Sequence, residues 1–176
     1  MIATSVYMLV VRLIHILAGI FWVGSVALFT LFLAPAAAEV GPAARPLIAN
    51  LVAKRRVVRA IAGAGTVTVI AGAFAYWRDW EIAGSLGNFL DQPYGVVLTI
   101  GAISALIALA IGVSIVLPGV EGAVRLGGEI AAAGEQASAE PRERLVAMQL
   151  RNKRASRTVL AFLVLAAAAM STAQAW

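Results

Sequence analysis

The chain has 176 residues, of which 61% are hydrophobic and 13% are charged, whereas soluble domains average about 25% charged residues. A soluble core of this size could not bury so much apolar surface, so we predict one integral membrane domain over residues 1–176, with the lipid bilayer as its first partner. The net charge is +5, but the basic residues cluster beside apolar stretches, which argues against nucleic acid as a partner. The absence of cysteine excludes disulfides and thiolate metal sites.

Four apolar stretches are long enough to cross about 30 Å of hydrocarbon, which requires about 20 helical residues. We place these spans at approximately residues 6–34, 57–77, 95–117 and 156–175. The first is expected to end against Pro35 and the third at Leu-Pro-Gly, residues 117–119. The second begins near Val57, and its helix is expected to continue back to Pro46, since proline favours the first turn of a helix. The fourth has a polar helical lead-in from Pro141.

The basic residues also predict an orientation. Twelve of the fourteen lysines and arginines lie in or beside the connections 35–56 and 118–155. Because cytoplasmic connections are enriched in Lys and Arg, we place both connections in the cytoplasm and both termini on the outer, periplasmic side of the inner membrane. Residues 119–140 are compatible with a loop or with a short amphipathic helix.

Small residues recur along the spans, where they favour close helix packing: Ala64, Gly65, Thr68 and Gly72 in the second, Gly101, Ala105, Ala108 and Gly112 in the third, and Ala166 to Ala169 in the fourth. The predicted fold is all-α, an integral membrane antiparallel four-helix transmembrane bundle.

Five residues of the first span are spaced so that they share one helical face, which is expected to point into the bundle: Met8, Arg12, His15, Gly19 and Trp22. His15 is the only histidine of the chain. An ionisable residue within a span is a candidate functional residue, because its insertion is unfavourable without a partner or a role. Arg12 is near enough to the outer end to reach the headgroups, whereas His15 lies deeper. Gly19 leaves a gap that a neighbouring helix or a planar ligand could fill.

The residues alone leave three roles for His15 open. In the first, a neutral ring hydrogen-bonds to a neighbouring span, for example through Ser171 or Thr172. In the second, the ring is an axial ligand to haem b, with Arg12 near the propionates and with Met170, a second subunit or no protein group as the other ligand. In the third, the ring serves a proton or a metal ion, and the donors for copper would be His15, Met8 and Met170.

Three segments resemble the four-helix module of CopD-like membrane proteins, with a more distant similarity to oxygen-independent protoporphyrinogen oxidases of the HemJ type. They are LIHILAGIFWVGS in the first span, PYGVVLTIGAISALIALAIG in the third and RNKRASRTVLAFLVLAAAAMSTAQAW at the end. The resemblance implies a four-helix membrane fold and assigns His15 to the histidine associated with haem or copper in relatives. Thr99, Ile100 and Gly101 stand where many relatives carry a lysine, which argues against the oxidase activity.

The sequence therefore predicts a small membrane-embedded binding or accessory subunit that ligates haem or copper through His15. One alternative is a purely structural subunit of a larger membrane complex or of a homo-oligomer such as a homodimer. A second is a HemJ-like oxidoreductase. The residues show no Ser/His/Asp set, phosphate-binding glycine loop or paired intramembrane carboxylates, so a non-enzymatic role is favoured.

Overall fold

The structure is a computed structural model that describes residues 2–134 and 138–175, and every regular element in these ranges is helical. The helices are α1 (Ile2–Leu28), α2 (Ala34–Val40), α3 (Arg45–Ala49), α4 (Val57–Ala83), α5 (Leu86–Leu90), α6 (Pro93–Ile111), α7 (Leu117–Ala133) and α8 (Ala139–Thr172). Five-residue π-helical turns lie at Phe29–Leu33, Asn50–Lys54 and Gly112–Val116, and 3-10 turns at Gly41–Ala44 and Ala173–Ala175.

Four continuous helical stretches are long and apolar enough to cross a membrane: Val6–Lys54, Val57–Ala83, Pro93–Ala133 and Ala139–Thr172. This agrees with the all-α class and with the number of spans predicted from the hydropathy pattern. Part of the predicted connection 118–155, residues 135–137, lies outside the described residues.

The helical backbone continues past both prolines at which the sequence analysis expects a span to end. A π-helical turn comes directly before each of them, so that the N–H of Ala34 donates to the carbonyl of Phe29, and the N–H of Leu117 donates to that of Gly112. Proline in a regular helix clashes with the carbonyl four residues earlier, and a wider π turn relieves this clash. The backbone therefore stays helical to Val40 in α2 and, through the segment that could have been a loop, to Ala133 in α7.

The first and second long stretches are separated at Arg56. This is the one non-glycine residue of the described chain with a positive φ, at 52°. A left-handed residue cannot continue a right-handed helix. The expected helix back to Pro46 is therefore present as the helical stretch Arg45–Lys54, but it is not continuous with α4.

One core joins the four long helices. Its buried members are Trp22 from α1, Ala108 from α6, and Val159 and Leu163 from α8, and Ile61 and Ala64 of α4 pack against them. The most extensive helix contacts are those of α1 with α4 and of α6 with α8.

Small residues allow the second of these pairs to approach closely. A Cβ atom on Gly101 would lie 3.3 Å from the carbonyl oxygen of Ala166. Gly112 does not take part in such a contact, because a Cβ atom there would meet nothing within 4 Å. The outer surface is apolar, with side chains such as Leu17 and Ile20 about two-thirds exposed at 64% and 66%. Such a surface is suited to lipid.

The turn between α4 and α6 is built around Phe89 of α5, which is 2% exposed. Its ring packs edge-on against Tyr76 of α4 and Tyr94 of α6, with centroid distances of 5.1 and 6.1 Å. A Cβ atom on Gly95 would overlap the carbonyl oxygen of Phe89, so glycine is required at that position. This turn fixes the end of α6 against α4, and it lies at the predicted outer end of the helices.

Candidate functional site on the His15 face of α1

The stripe predicted from the spacing of the first span packs against α4. Three pairs of residues fit together across the two helices, each with a larger group against a glycine. The ring of His15 lies at Gly72, the methyl group of Thr68 lies at Gly19, and the ring of Trp22 lies at Gly65. A Cβ atom on Gly19 would lie 3.5 Å from Cγ2 of Thr68, and one on Gly65 would lie 2.6 Å from Cε2 of Trp22. The gap expected beside Gly19 is therefore filled by the neighbouring helix.

His15 makes one hydrogen bond, from its Nδ1 to the backbone carbonyl oxygen of Thr68 at 2.8 Å. A carbonyl oxygen only accepts, so Nδ1 carries the proton and Nε2 is the basic nitrogen of the neutral ring. The partner is on α4 and not on the fourth span. The hydroxyls of Ser171 and Thr172, which the sequence analysis suggests as partners, donate instead to the carbonyl of Ala168 in their own helix, at 3.0 and 2.8 Å.

Gly72 makes room for the imidazole. A Cβ atom at this position would lie 2.8 Å from Cε1 and 3.0 Å from Nδ1 of His15. Atoms at such distances repel, so any larger residue would displace the ring from the Thr68 carbonyl. The hydroxyl of Thr68 donates to the carbonyl oxygen of Ala64 at 2.8 Å within α4.

Arg12 lies one turn before His15 and is exposed. Near this end of the helices, the hydroxyl of Tyr94 donates to Oδ2 of Asp79 at 2.7 Å. The nearby hydroxyls of Tyr76 and Thr99 are 2.8 Å apart. A polar cluster thus lies beyond the His15 ring at the predicted outer end.

The two methionines of the predicted metal set have different surroundings. Met8 lines a groove of about 200 Å³, together with Trp77 and Arg78 of α4. Met170 of α8 packs against α6, where a Cβ atom on Gly101 would lie 3.1 Å from its Cγ. The contacts of His15 are with α4 and those of Met170 are with α6, so the structure gives these residues separate packing partners.

The chemistry available at this face is that of a single imidazole nitrogen. No group of three or more His, Cys, Asp and Glu side chains is placed to hold a metal ion in the described part of the chain. Neither the groove beside Met8 nor a second groove, lined by Val52 and Val124 among others, is lined by His15. What the face offers to a ligand is Nε2, from a ring that the Thr68 carbonyl and Gly72 hold in one orientation.

No family model matches this chain, and no match is found among the curated proteins or the solved structures. The resemblance to CopD-like proteins therefore stays a prediction made from three sequence segments. The role of His15 has to be argued from its own geometry.

Sequence reasoning did not identify Asp79 and Tyr94 as part of a site. Both lie where a span meets a loop, so their side chains suggested only an interface position. Their pairing depends on the Phe89 turn, which brings residues 15 positions apart together. The sequence pattern also predicted that Gly72 is a packing residue, but it did not predict that its partner is His15.

Proposed function

We propose that this protein is a membrane-embedded accessory subunit in which His15 presents one imidazole nitrogen, Nε2, to haem or copper. The observation that carries the proposal is the hydrogen bond from Nδ1 to the Thr68 carbonyl. Histidines that bind metals commonly donate their other ring N–H to a carbonyl or carboxylate, which fixes the tautomer and the orientation of the ring. Gly72 adds a steric constraint to the same effect.

The residues present limit how such a group would be held. Thr68 fills the space beside Gly19, so a planar cofactor would not lie between α1 and α4 at this level. Met170 is packed on α6, which favours five-coordinate iron or a donor from a second copy over an intramolecular His–Met pair. When bound, haem or copper would supply one-electron chemistry, and the chain itself would hold the ligand nitrogen, with Arg12 beside a propionate.

The wider arrangement belongs to the same proposal. The pairs of residues 15 with 72, 19 with 68 and 22 with 65 support an antiparallel course of α1 and α4. The exposed apolar side chains support insertion in a bilayer. We propose an antiparallel bundle in the inner membrane with both termini outward and the basic connections in the cytoplasm, an orientation that rests on the distribution of Lys and Arg.

A purely structural subunit is the second candidate, and the fit of the interface favours it. The three groups His15, Thr68 and Trp22 each have a glycine opposite them, and Trp22 is only 4% exposed. In this reading His15 joins α1 to α4 and binds nothing else, and the protein functions through lateral contacts with another membrane subunit.

The test compares two substitutions of His15 in protein purified in a mild detergent. We would record visible spectra before and after reduction with dithionite, and measure copper and iron on the same sample. The ligand proposal expects a Soret band or stoichiometric copper in the wild type, and its loss in both His15→Ala and His15→Asn. The amide nitrogen of asparagine is separated from Cβ by the same number of bonds as Nδ1 of histidine, so this variant can keep the bond to the Thr68 carbonyl while it lacks Nε2. It therefore separates the loss of a ligand from the loss of an interhelical bond.

The stability of the same variants decides between the candidates. A wild-type protein without chromophore or metal would overturn the ligand proposal. The structural candidate would then be favoured if His15→Asn unfolds like the wild type and His15→Ala is less stable. Retention of the chromophore in His15→Ala would likewise contradict ligation by this residue.

A further inference from the structure

A second groove lies at the opposite end of the helices from the Phe89 turn. It has a volume of about 420 Å³, within the range of small-ligand sites. Its apolar lining comes from Val52, Ala53 and Val124. Its charged lining comes from Arg56, Arg59, Arg125 and Glu121. We call this surface the basic groove.

Two elements on different parts of the chain are joined here by an ion pair. Arg59 of α4 binds Glu121 of α7 through both nitrogens of its fork, with Nε to Oε1 at 2.6 Å and Nη2 to Oε2 at 3.1 Å. This two-point contact fixes the guanidinium at the wall of the groove. Arg59 and Glu121 thus form one side of the groove, and the turn at Arg56 forms another.

The remaining charge of the groove is positive. Three arginines and one glutamate give the lining a net charge of +2. Among the described residues no carboxylate lies within 4.0 Å of Arg56. Arg125 approaches Glu129 only at 3.8 Å, and its side chain is 81% exposed. Two guanidinium groups are therefore available to an anion that enters the groove.

The position of the groove along the helices suggests which anion this is. Arg56 and Arg59 lie at the start of the second predicted span, and Glu121 and Arg125 lie just after the end of the third. In a bilayer this level is that of the headgroups on the cytoplasmic side, where basic pockets between helices bind anionic lipids. The apolar residues Ala53 and Val124 in the same lining are at least partly exposed, and they are suited to the first carbons of a lipid rather than to a fully soluble anion.

We propose that the basic groove binds the phosphate headgroup of an anionic phospholipid. The phosphate contacts Arg56 and Arg125, Arg59 contributes from its fixed position beside Glu121, and the glycerol end lies against the apolar lining. The proposal rests on the membrane orientation given above. It does not depend on whether His15 binds a cofactor.

Native mass spectrometry of the full chain in neutral detergent tests the proposal, with phosphatidylglycerol and phosphatidylcholine added in turn. We expect one retained phosphatidylglycerol and much weaker retention of phosphatidylcholine. A base near an anionic surface contributes about fivefold in affinity, so Arg56→Gln with Arg125→Gln should weaken phosphatidylglycerol binding about thirtyfold. The matched control removes two exposed bases outside the groove, Arg144→Gln with Arg151→Gln, and should change binding less than twofold.

For Glu121→Gln the expected result is tighter binding, which a misfolded variant would not show. The substitution removes the acidic member of the lining and should strengthen phosphatidylglycerol binding about fivefold. Equal weakening in the groove variant and in the control would overturn the proposal, because binding would then follow overall charge. Displacement of the lipid by millimolar inorganic phosphate would also overturn it, in favour of a soluble phosphate ligand.

The experiment is separable from the test of the proposed function. The groove variants should leave any Soret band or bound copper unchanged, and His15→Ala should leave lipid binding unchanged. Failure of one result therefore does not imply failure of the other.

Discussion

Substitution of Gly72 by alanine tests the contact that fixes the His15 ring. The added methyl group would lie 2.8 Å from Cε1 and 3.0 Å from Nδ1 of His15, where favourable carbon contacts begin at about 3.5 Å. Overpacking of this kind costs about 1–3 kcal/mol. Replacing glycine by alanine inside a helix stabilises by about 1 kcal/mol. The free energy of unfolding should therefore fall by about 0–2 kcal/mol.

The effect of Gly72→Ala on the free energy of unfolding should change sign when the His15 ring is absent. In a His15→Ala background the overlap is gone, so Gly72→Ala should raise the free energy of unfolding by up to about 1 kcal/mol. The coupling between the two substitutions then equals the overlap, about 1–3 kcal/mol. The assay is equilibrium unfolding by SDS titrated into mild-detergent micelles, followed by circular dichroism at the helix bands.

Gly63 provides the control for this cycle. It lies on the same helix, and a Cβ atom there would meet nothing within 4 Å. Gly63→Ala should therefore show no coupling to His15→Ala beyond about 0.5 kcal/mol. If the Gly72 and His15 substitutions were additive to within that same margin, the ring could not lie against Gly72, and the argument for a fixed Nε2 would fail.

Two further predictions concern neighbouring contacts. Gly65→Ala should be about 1–3 kcal/mol less stable than Gly63→Ala in the same unfolding assay. Both variants gain helix propensity, but only Gly65→Ala places a methyl group 2.6 Å from Cε2 of the buried Trp22. Equal stability would show that the indole does not pack there. Tyr94→Phe removes the hydroxyl that donates to Asp79 at 2.7 Å, and since Tyr94 is half-buried we expect a loss of about 1 kcal/mol. No measurable loss would mean that solvent replaces this bond.

The stripe on α1 could be predicted because helical periodicity is a local property. Residues spaced by three and four share a face whatever they pack against, so the whole stripe was expected to face the bundle. The structure has four of its five members, Met8, His15, Gly19 and Trp22, at least half-buried. Arg12 shares their spacing but is exposed. Its exposure depends on its position near the end of the helix, which the spacing of the residues does not reveal.

The partner of His15 could not be predicted, because it is a main-chain atom. Every residue has a carbonyl, so nothing in the sequence distinguishes Thr68 as an acceptor, whereas Ser171 and Thr172 attracted attention through their hydroxyls. Likewise Glu121 and Arg59 are 62 positions apart. Their meeting depends on α7 remaining helical beyond Pro118, which in turn depends on the π turn before it.

The sequence by itself determined the helical class and the four apolar stretches, because hydropathy and composition act on each segment independently of the others. It also determined which positions carry small side chains that permit close approach, although no neighbour lies close to Gly112. Only the tertiary structure decided that α1 pairs with α4, that the His15 ring occupies the space at Gly72, and that three arginines share one groove. Each of these contacts joins surfaces that are distant in sequence. It contributes to the free energy of folding only when the fold brings both surfaces together.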